Sequence, residues 1–331
     1  MAQSRVNKRK KPRNKFLRVT LITFLALFIL VGGALAYGIY KISGVTSSAQ
    51  LDLERGDMSE YRDAAVDPIE DPVSILFLGL DSRDGDLSGR TDAMVLATFN
   101  PEEETIEMVN IPRDSYVEIV GRGTFDKINH AHAFGGLDMT LDTVENMFDI
   151  PVDYFVSLNF DAFIEIIDAL DGIEVDAPMA ITDTDNATYG TISIEEGLQT
   201  LNGEEALAYV RMRKQDPRGD LGRGDRQKEV IGSVIQKAAS FSSITRFGPL
   251  LDSFEGNLNT NISFSSMLGM HSYANELANI ESHSLTGQDI TENGIYYFQL
   301  DDAVLQEVSD SFKVHLGLQE ETVENQSTTI Q

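Results

Sequence analysis

The stretch from 209 to 227, YVRMRKQDPRGDLGRGDRQ, concentrates positive charge in a strongly acidic chain. The 331 residues carry a formal charge of −27, yet six basic side chains fall within this stretch: Arg211, Arg213, Lys214, Arg218, Arg223 and Arg226. Planar guanidinium groups suit bidentate contacts to phosphate, and a helix amino terminus favours bound anions. On this stretch alone, an anion site and a solvated loop neutralised by its own aspartates are equally good interpretations.

A second candidate site lies in GLDSRDGDLSGRTDAM, which begins at residue 79. Asp81 follows one apolar run and Asp92 begins the next, so the intervening loop brings both carboxylates to one edge of the predicted sheet. Two carboxylates with room for water suit Mg²⁺, a hard cation that keeps several of its waters. Paired acids are also common in loops that bind no metal, so both interpretations stay open.

Two further clusters place charged or polar side chains beside predicted strands. NIPRDSY contains Arg113 and Asp114, for which a turn with a surface ion pair is the simpler interpretation. KINHAHAFGG contains Lys127, His130 and His132; with no third histidine or cysteine nearby, we expect no zinc site. The chain has no cysteine, no Gly-x-Ser-x-Gly and no Walker loop, so none of these catalytic motifs is present.

Apolar runs and helical periodicities alternate along the chain and position these clusters. Short strands are predicted at 73–80, 93–100, 105–111, 153–158, 173–178 and 294–300. Amphipathic helices are predicted at 135–149, 160–172, 202–213, 223–240, 264–278 and 301–315. The alternation predicts an α/β fold, an α-β-α sandwich in which helices cover a central mixed sheet. We expect this domain to occupy 72–318 and a disordered tail to occupy 319–331.

The amino-terminal part of the chain divides by charge and hydropathy. Residues 1–18 are basic, 19–40 are uncharged and mostly apolar, and 41–71 read as a polar, acidic linker. A helix over 19–40 would be about 33 Å long, enough to cross the core of a bilayer. The basic flank predicts a single-pass membrane anchor with a cytoplasmic amino terminus and an extracellular domain. Cleavage after 34–36, as in a signal peptide, is the alternative.

The remainder of the chain is highly acidic. Residues 41–331 contain 18 basic and 53 acidic side chains, a net charge of −35. Nucleic-acid binding requires a basic face that neutralises phosphates, so we expect no nucleic-acid partner.

Taken together and in this order, the four clusters resemble the motifs of the LytR-CpsA-Psr family. The resemblance covers about 72–240, and the single predicted anchor fits it. Members are membrane-anchored enzymes of Gram-positive bacteria that take an anionic or capsular glycopolymer, such as wall teichoic acid, from polyprenyl pyrophosphate. They join it to peptidoglycan as a phosphodiester on the 6-hydroxyl of N-acetylmuramic acid.

The resemblance implies a role for individual residues in phosphoryl transfer. Asp81 and Asp92 would bind Mg²⁺, with Mn²⁺ as the alternative metal. Catalytic roles would fall to Arg113, Asp220 and Arg90, with Asp220 or Asp92 as the base. The pyrophosphate would be bound by Arg83, Arg90, Arg113, Lys127, Arg211, Arg213, Arg223 and Gln227.

The resemblance also implies an apolar tunnel for the polyprenyl chain, between the sheet and its helices. Candidate lining residues are Phe134, Phe155, Phe160, Phe163 and Ile167, each of which could instead be core. The chain departs from the commoner family pattern at His132, where tyrosine is more frequent, and at Asn110, where serine is more frequent. Neither departure removes a charged ligand. Lys214 and Arg218 are expected to be solvated.

From the sequence we therefore expect an extracytoplasmic, Mg²⁺-dependent phosphotransferase that attaches a lipid-linked glycopolymer to peptidoglycan. Two alternatives remain. One is a non-catalytic regulator of wall turnover that binds polyprenyl phosphates, and the other is a polyprenyl pyrophosphatase that uses water as acceptor. The complete set of charged residues favours catalysis.

Overall fold

A computed structural model describes residues 53–56, 58–82, 87, 91–184, 190–240, 257–263, 266, 270 and 280–320. The predicted anchor at 19–40, most of the helix predicted at 264–278, and Arg83 and Arg90 lie outside these residues. So does the predicted tail from residue 321 onward. In the part of the chain that is described, no helix is both long and apolar enough to cross a membrane.

The described strands and helices alternate along the chain. The strands are β1 (Val73–Leu80), β2 (Thr91–Asn100), β3 (Thr105–Asn110), β4 (Tyr116–Ile119), β5 (Thr124–Lys127), β6 (Tyr154–Asn159), β7 (Ile173–Ala177), β8 (Ile181–Asp183), β9 (Ile192–Ile194), β10 (Gly197–Leu201), β11 (Leu258–Thr260), β12 (Ile280–Ser284), β13 (Gly287–Glu292) and β14 (Ile295–Leu300). The helices are α1 (His130–Phe148), α2 (Phe160–Ala169), α3 (Gly203–Arg211), α4 (Asp220–Ser240) and α5 (Asp302–His315).

A six-stranded mixed sheet with the order β11-β6-β1-β2-β3-β12 forms the centre of the domain. Strands β1, β2 and β3 are antiparallel neighbours, whereas β6 runs parallel to β1 and β12 runs parallel to β3. The other strands form two-stranded sheets, among them the hairpins β4–β5 and β13–β14. The predicted α/β fold with a central mixed sheet is confirmed.

Helices pack on both faces of this sheet because its strands alternate apolar residues between the faces. On one face, Leu76 and Phe155 belong to a buried cluster with Phe148 of α1 and Phe312 of α5. On the other face, Phe77 and Val156 pack in a cluster that includes Ile231 of α4. The second face is the one that borders the charged clusters.

Two helices that carry site residues begin at asparagine caps. The Asn159 side chain accepts a hydrogen bond from the Ala162 N–H at 3.0 Å and starts α2. Asn202 and Glu205 form a reciprocal capping box at the start of α3. Helix α3 then ends at Arg211, since Met212 turns to an extended conformation with ψ 130°.

The sequence prediction missed several elements and one kink. It omitted the hairpin β4–β5 because its strands are only four residues long and half of their residues are polar. It also began α1 five residues too late, at the glycine pair 135–136. In the structure α1 starts at His130 and is kinked at that pair, where Gly136 has φ 66°. Glycine adopts this left-handed conformation without strain, so the pair bends the helix rather than starting it.

The described residues between 53 and 71 pack against the domain instead of forming the predicted linker. Arg62 makes a two-pronged contact to Asp153, with Nε–Oδ1 2.8 Å and Nη2–Oδ2 2.6 Å. Arg55 lies 2.8 Å from Glu145 of α1, and Leu53 is buried. Ion pairs to distant residues hold this segment, which explains why apolar periodicity gave no sign of it.

The buried His315 predicts a pH dependence of stability. Its Nδ1 lies 2.7 Å from Thr98 Oγ1 and its Nε2 lies 2.9 Å from Thr105 Oγ1, so it connects the end of α5 to β2 and β3. Burial lowers the pKa of His315 although several glutamates oppose that effect. The unfolded state therefore takes up the proton first as pH falls, and stability decreases below about pH 6.5.

We expect the free energy of unfolding to fall by up to about 1.4 kcal/mol per pH unit in that range. The measurement is urea unfolding of the full chain at pH 7, 6 and 5. The His315→Gln variant should show a flatter dependence on pH. Parallel curves for the two proteins would contradict the assignment.

Candidate functional site

The carboxylates Asp81 and Asp92 lie together where β1 ends and β2 begins. The two strands are antiparallel and pair Gly79 with Ala93 and Leu80 with Thr91, so Asp92 occupies the irregularity between these pairs, next to the end of β1 where Asp81 follows. Burial and the neighbouring carboxylate of Asp92 raise the pKa of Asp81, whereas Arg211 and Arg113 act in the opposite direction. Two acids that repel each other beside arginines form a site that an added cation would stabilise.

Arg113 joins the loop after β3 to this carboxylate pair. Its Nη1 donates a hydrogen bond to Asp92 Oδ1 at 2.6 Å, and its Nε lies 3.6 Å from Asp114 Oδ2. Although burial acts to lower it, the pKa of Arg113 is raised by Asp92, Asp114 and Asp220. Asp114 also accepts a hydrogen bond from Lys127 Nζ at 2.7 Å, so Lys127 reaches the cluster through that carboxylate.

Asp220, the first residue of α4, lies between two arginines of the basic stretch. Its Oδ2 is 2.9 Å from Arg213 Nη2 and its Oδ1 is 2.8 Å from Arg223 Nη2. Burial lowers the pKa of Arg223, and the guanidinium groups of Arg113 and Arg213 add to that effect while Asp220 opposes it. Cations crowded in this way favour a bound anion.

A buried ion pair fixes the loop between α3 and α4. The side chain of Arg226 is 1% exposed, and its Nη1 donates to Asp216 Oδ2 at 2.6 Å. Its Nε donates to the carbonyl of Tyr209 at 3.0 Å, and its Nη2 donates to the carbonyl of Met212. Burial alone would raise the pKa of Asp216, but the Arg218 N–H and the Arg226 guanidinium hold it below its usual value.

Two glycines in LGRGD allow close approach to the first turn of α4. A Cβ on Gly222 would come within 1.8 Å of Asp216 Oδ2, and one on Gly224 within 2.7 Å of the Asn110 side chain. The spacing of glycines in this stretch therefore reflects packing of the loop and of β3 against the helix.

An apolar cavity of about 260 Å³ lies between the sheet and helices α2, α3 and α4. Apolar residues line most of it, and charged or polar residues occur at Asp92, Arg211, Arg223 and Gln227. The Arg211 guanidinium lies over the ring of Phe160, 4.7 Å from its centroid. The apolar lining residues are Phe77, Leu78, Gly79, Ala93, Val95, Leu158, Phe160, Phe163, Leu207, Val210, Val230 and Ile231.

A second, polar cavity of about 300 Å³ adjoins the same charged cluster. It is lined by Asn110, Pro112, Arg113, Asp114, Arg213, Arg218, Gly219, Asp220, Leu221, Gly224, Asp225, Lys228, His283, Ser284, Leu285, Asp289, Tyr296 and Phe298. Arg213 thus points to the polar cavity and Arg211 to the apolar one, as their spacing of two at a helix end predicts.

Three side-chain pairs join the two cavities, and each has one member in either cavity. They are Asp92–Arg113, Arg223–Asp220 and Gln227–Asn110, the last a hydrogen bond of 2.7 Å. We call this set the three-pair wall. Any group that contacts all three pairs lies between an apolar compartment and a polar one.

The structure brings together most of the predicted polar site residues that it describes. Asp81, Asp92, Arg113, Asp220 and Arg223 are linked by the contacts above, Gln227, Arg211 and Arg213 border them, and Lys127 is connected through Asp114. Arg83 and Arg90 lie outside the described residues. Arg218 and Lys214, expected to be solvated, are both exposed, and Arg218 also borders the polar cavity and donates a hydrogen bond to Asp225 at 2.7 Å.

Of the five predicted lipid-binding residues, Phe160 and Phe163 line the apolar cavity. Phe155 is buried on the opposite face of the sheet, and Ile167 packs in the cluster around α3. Phe134 is 43% exposed, beneath the guanidinium of Arg122 at 3.9 Å. Ile167 belongs to the cluster against which Phe160 and Phe163 pack but does not line the cavity, whereas Phe155 and Phe134 lie elsewhere, because aromatic identity gives no information about which face of the sheet a residue occupies.

The sequence interpretation missed the role of Asn110 in the three-pair wall and the whole contribution of β13 and β14. Alternation along β1 gave a usable signal for Phe77, which lies on the face opposite Leu76. The cavity residues after 280 had no such signal, since they are close to the site only through the tertiary fold. Among the described residues, no group of three or more His, Cys, Asp or Glu could hold a metal ion by itself.

One family model and a protein of known name each match most of this chain. The LytR_cpsA_psr family model matches residues 36–314. Polyisoprenyl-teichoic acid–peptidoglycan teichoic acid transferase TagU of Bacillus subtilis (strain 168) is 44% identical over 313 residues, which cover 94% of this chain and 99% of TagU.

Two solved structures of a similar protein extend the comparison. TagT bound to LIIa-WTA aligns with a TM-score of 0.70 at 43% identity, over 81% of this chain and 99% of that one. TagT with bound octaprenyl pyrophosphate lipid aligns with a TM-score of 0.66 at 39% identity, also over 81% and 99%.

The buried pair predicts a large difference between two neighbouring arginines. In Arg226→Met, the buried Asp216 carboxylate loses its partner, and we expect a loss of about 3–5 kcal/mol in the free energy of unfolding. In the control Arg218→Met, an arginine that is half exposed is removed from the same loop, and we expect a loss below about 1 kcal/mol. Urea unfolding of the full chain measures both, and equal losses would show that burial of Arg226 is unimportant.

Proposed function

The chain belongs to the LytR-CpsA-Psr family, and on that premise we propose that it transfers teichoic acid or a similar glycopolymer from a polyprenyl pyrophosphate carrier to peptidoglycan. The enzyme is a phosphotransferase, and its acceptor is the 6-hydroxyl of N-acetylmuramic acid. The observation that carries the proposal is the three-pair wall, at which an apolar cavity meets a cluster of arginines. A lipid pyrophosphate needs both surroundings at once.

The names and ligands of the related proteins support this proposal. TagU is named a polyisoprenyl-teichoic acid–peptidoglycan teichoic acid transferase, and TagT has been solved bound to LIIa-WTA and with bound octaprenyl pyrophosphate lipid. A lipid in the apolar cavity would have its pyrophosphate beside Arg211, Arg223 and Arg113. Bidentate guanidinium contacts then neutralise the charge that spreads over the phosphoryl oxygens during transfer.

The reaction replaces the phosphoanhydride bond of the pyrophosphate with a phosphoester bond to the acceptor, without oxidation or reduction. The acceptor hydroxyl oxygen attacks the phosphorus that carries the glycopolymer, and the bond from that phosphorus to the bridging oxygen breaks. Polyprenyl phosphate leaves with the bridging oxygen, and the acceptor proton passes to a base. Arginines beside the leaving phosphate stabilise its added negative charge.

Asp220 is the better candidate for that base, because it borders the polar cavity whereas Asp92 borders the apolar one. Asp92 is also engaged by Arg113 and lies beside Asp81. When phosphate oxygens take over Arg213 and Arg223, the Asp220 carboxylate is released to accept a proton. Its place at the first residue of α4 keeps it close to the pyrophosphate.

We also propose that Asp81 and Asp92 hold Mg²⁺, or Mn²⁺, at the pyrophosphate. The residues fit a divalent cation because they are paired carboxylates, and burial together with their mutual repulsion raises the pKa of Asp81. When bound, the metal supplies Lewis-acid stabilisation of phosphoryl oxygens. The side chains of the protein otherwise position the pyrophosphate.

The location of the reaction follows from the carrier. A polyprenyl carrier is embedded in the membrane, so we propose that residues 19–40 anchor the chain there as a single-pass helix. The basic residues before 19 keep the amino terminus in the cytoplasm, and the domain then faces the wall outside.

Removing Arg113 should impair transfer far more than binding of the lipid tail. We expect Arg113→Ala to lower kcat/KM by about 10²–10³, as loss of one charge-stabilising donor does in other enzymes. Arg113→Lys retains the charge but loses the planar fork, so it should recover only part of the rate. The measurement is adduct formation between a lipid-linked glycopolymer and peptidoglycan oligomers, compared with Arg122→Ala as control. Equal rates for Arg113→Ala and the control would refute this role.

Metal binding can be measured without turnover. Mg²⁺ that binds the folded state should raise the unfolding temperature of the wild-type chain, and the increase should grow with the Mg²⁺ concentration. Asp81→Asn removes one carboxylate and the repulsion, so this variant should be at least as stable without Mg²⁺ and gain little when Mg²⁺ is added. An equal Mg²⁺-dependent gain in both proteins would place the metal elsewhere.

A further inference from the structure

The polar cavity lies across the three-pair wall from the apolar cavity, and the phosphotransferase role does not by itself say what occupies it. We propose that the polar cavity is the subsite for the acceptor, the glycan chain of peptidoglycan, with Tyr296 as its stacking surface. This inference rests on the proposed function, because it assigns the second substrate of the same site.

The charges that line the polar cavity are balanced. Arg113, Arg213, Arg218 and Lys228 are matched by four carboxylates, Asp114, Asp220, Asp225 and Asp289. Each cation has an acidic partner, at distances from 2.7 Å for Arg218–Asp225 to 3.6 Å for Arg113–Asp114. A cavity without excess positive charge does not attract a glycopolymer chain rich in phosphate groups. It suits a sugar chain with hydroxyl and amide groups, which can donate to the carboxylates and accept from the cations.

The cavity also offers apolar surface of the kind that sugar rings contact. Tyr296 is 38% exposed, and its hydroxyl donates to Asp289 Oδ1 at 2.8 Å, which holds the ring in place. Phe298 and Leu285 lie in the same lining. An aromatic face carries partial negative charge and attracts the C–H groups of a sugar ring. Strand β14 of the hairpin β13–β14 supplies both aromatic residues, Tyr296 and Phe298, so the hairpin forms one wall of the cavity.

On the other face of β14 from Tyr296 and Phe298, a row of rings packs against the hairpin β4–β5. Tyr297 packs on Tyr116 with ring centroids 4.7 Å apart, and Tyr116 packs on Phe125 at 5.4 Å. Phe125 is 57% exposed. These rings join β14 to the hairpin β4–β5 and so hold the strand that carries Tyr296.

The reaction geometry gives an independent reason for the acceptor to lie here. In phosphoryl transfer the attacking and leaving oxygens are roughly in line on opposite sides of the phosphorus. The leaving polyprenyl phosphate belongs to the apolar cavity, so the attacking hydroxyl approaches from the polar one. Asp220, which borders the polar cavity, is then close enough to receive its proton.

The glycopolymer of the donor is the competing occupant, and kinetics with the full chain in detergent separate the two. The variant is Tyr296→Ala, and the matched control is Tyr61→Ala, a tyrosine of similar exposure (40%) in the segment between 53 and 71. We expect Tyr296→Ala to raise KM for a peptidoglycan glycan oligomer about tenfold and to leave KM for the lipid-linked donor nearly unchanged. Tyr296→Phe keeps the ring and should retain most acceptor affinity, which distinguishes loss of stacking from misfolding.

Each outcome decides the proposal. An unchanged acceptor KM in Tyr296→Ala overturns it, and a raised donor KM with unchanged acceptor KM assigns the cavity to the donor saccharide instead. Saturation-transfer NMR with a soluble glucosaminyl–muramyl oligosaccharide gives a second readout that needs no turnover. Binding to the wild type and its loss in Tyr296→Ala would support the subsite even if the wild type formed no adduct, a result that would refute the proposed function alone. Equal binding by both proteins would overturn the subsite.

Discussion

The buried ion pair between Arg226 and Asp216 is the contact on which the arrangement of the site depends. Arg226 extends from the first turns of α4 and holds the end of α3 through two carbonyls and the following loop through Asp216. That loop carries Arg213 and leads directly into Asp220. A guanidinium with almost no exposure to water would be costly to bury without these partners, so the loop is held where it supplies them. The buried Arg226 therefore fixes the positions of the more exposed arginines of the site.

The three-pair wall shows how one small cluster can meet two very different environments. Period-two alternation along the strands gives the sheet a helix-covered apolar face, and the apolar cavity opens within that face. The polar cavity is built from the ends of β3 and β12, the first turns of α4, the loops beside them and the hairpin β13–β14. Asp92, Arg223 and Gln227 lie on one side, and each is bonded to a partner on the other side. Reactants of opposite polarity can therefore meet at the wall without either being moved through the other compartment.

Much of the fold and the polar half of the site could be predicted from the sequence, because the signals involved are local. Apolar runs located β1, β2, β3 and β6, and helical periodicity located α2 to α5 within a few residues. Charged motifs located Asp81, Asp92 and Arg113. The apolar half was predicted poorly, since Phe155 and Phe160 look alike in sequence and differ only in the face they occupy. Arg226 also looked no different from Arg218, although one is buried and the other half exposed. Burial of this kind is decided by packing between distant segments, and a single sequence does not display it.

Mutual neutralisation explains how so many arginines can be assembled in one place before any substrate arrives. Asp220 lies within 3 Å of both Arg213 and Arg223, and Asp92 engages Arg113, so each guanidinium has a carboxylate where a phosphate oxygen would otherwise be. Without these acids the cations would repel one another and oppose folding of the loop. With them, a pyrophosphate that binds replaces one set of anions with another. The net gain in binding free energy is therefore smaller than the number of arginines suggests. The same exchange releases carboxylates beside the reacting atoms, where Asp220 can take a proton and Asp92 can face a cation. The arginines of the stretch therefore need its aspartates in order to lie so close together.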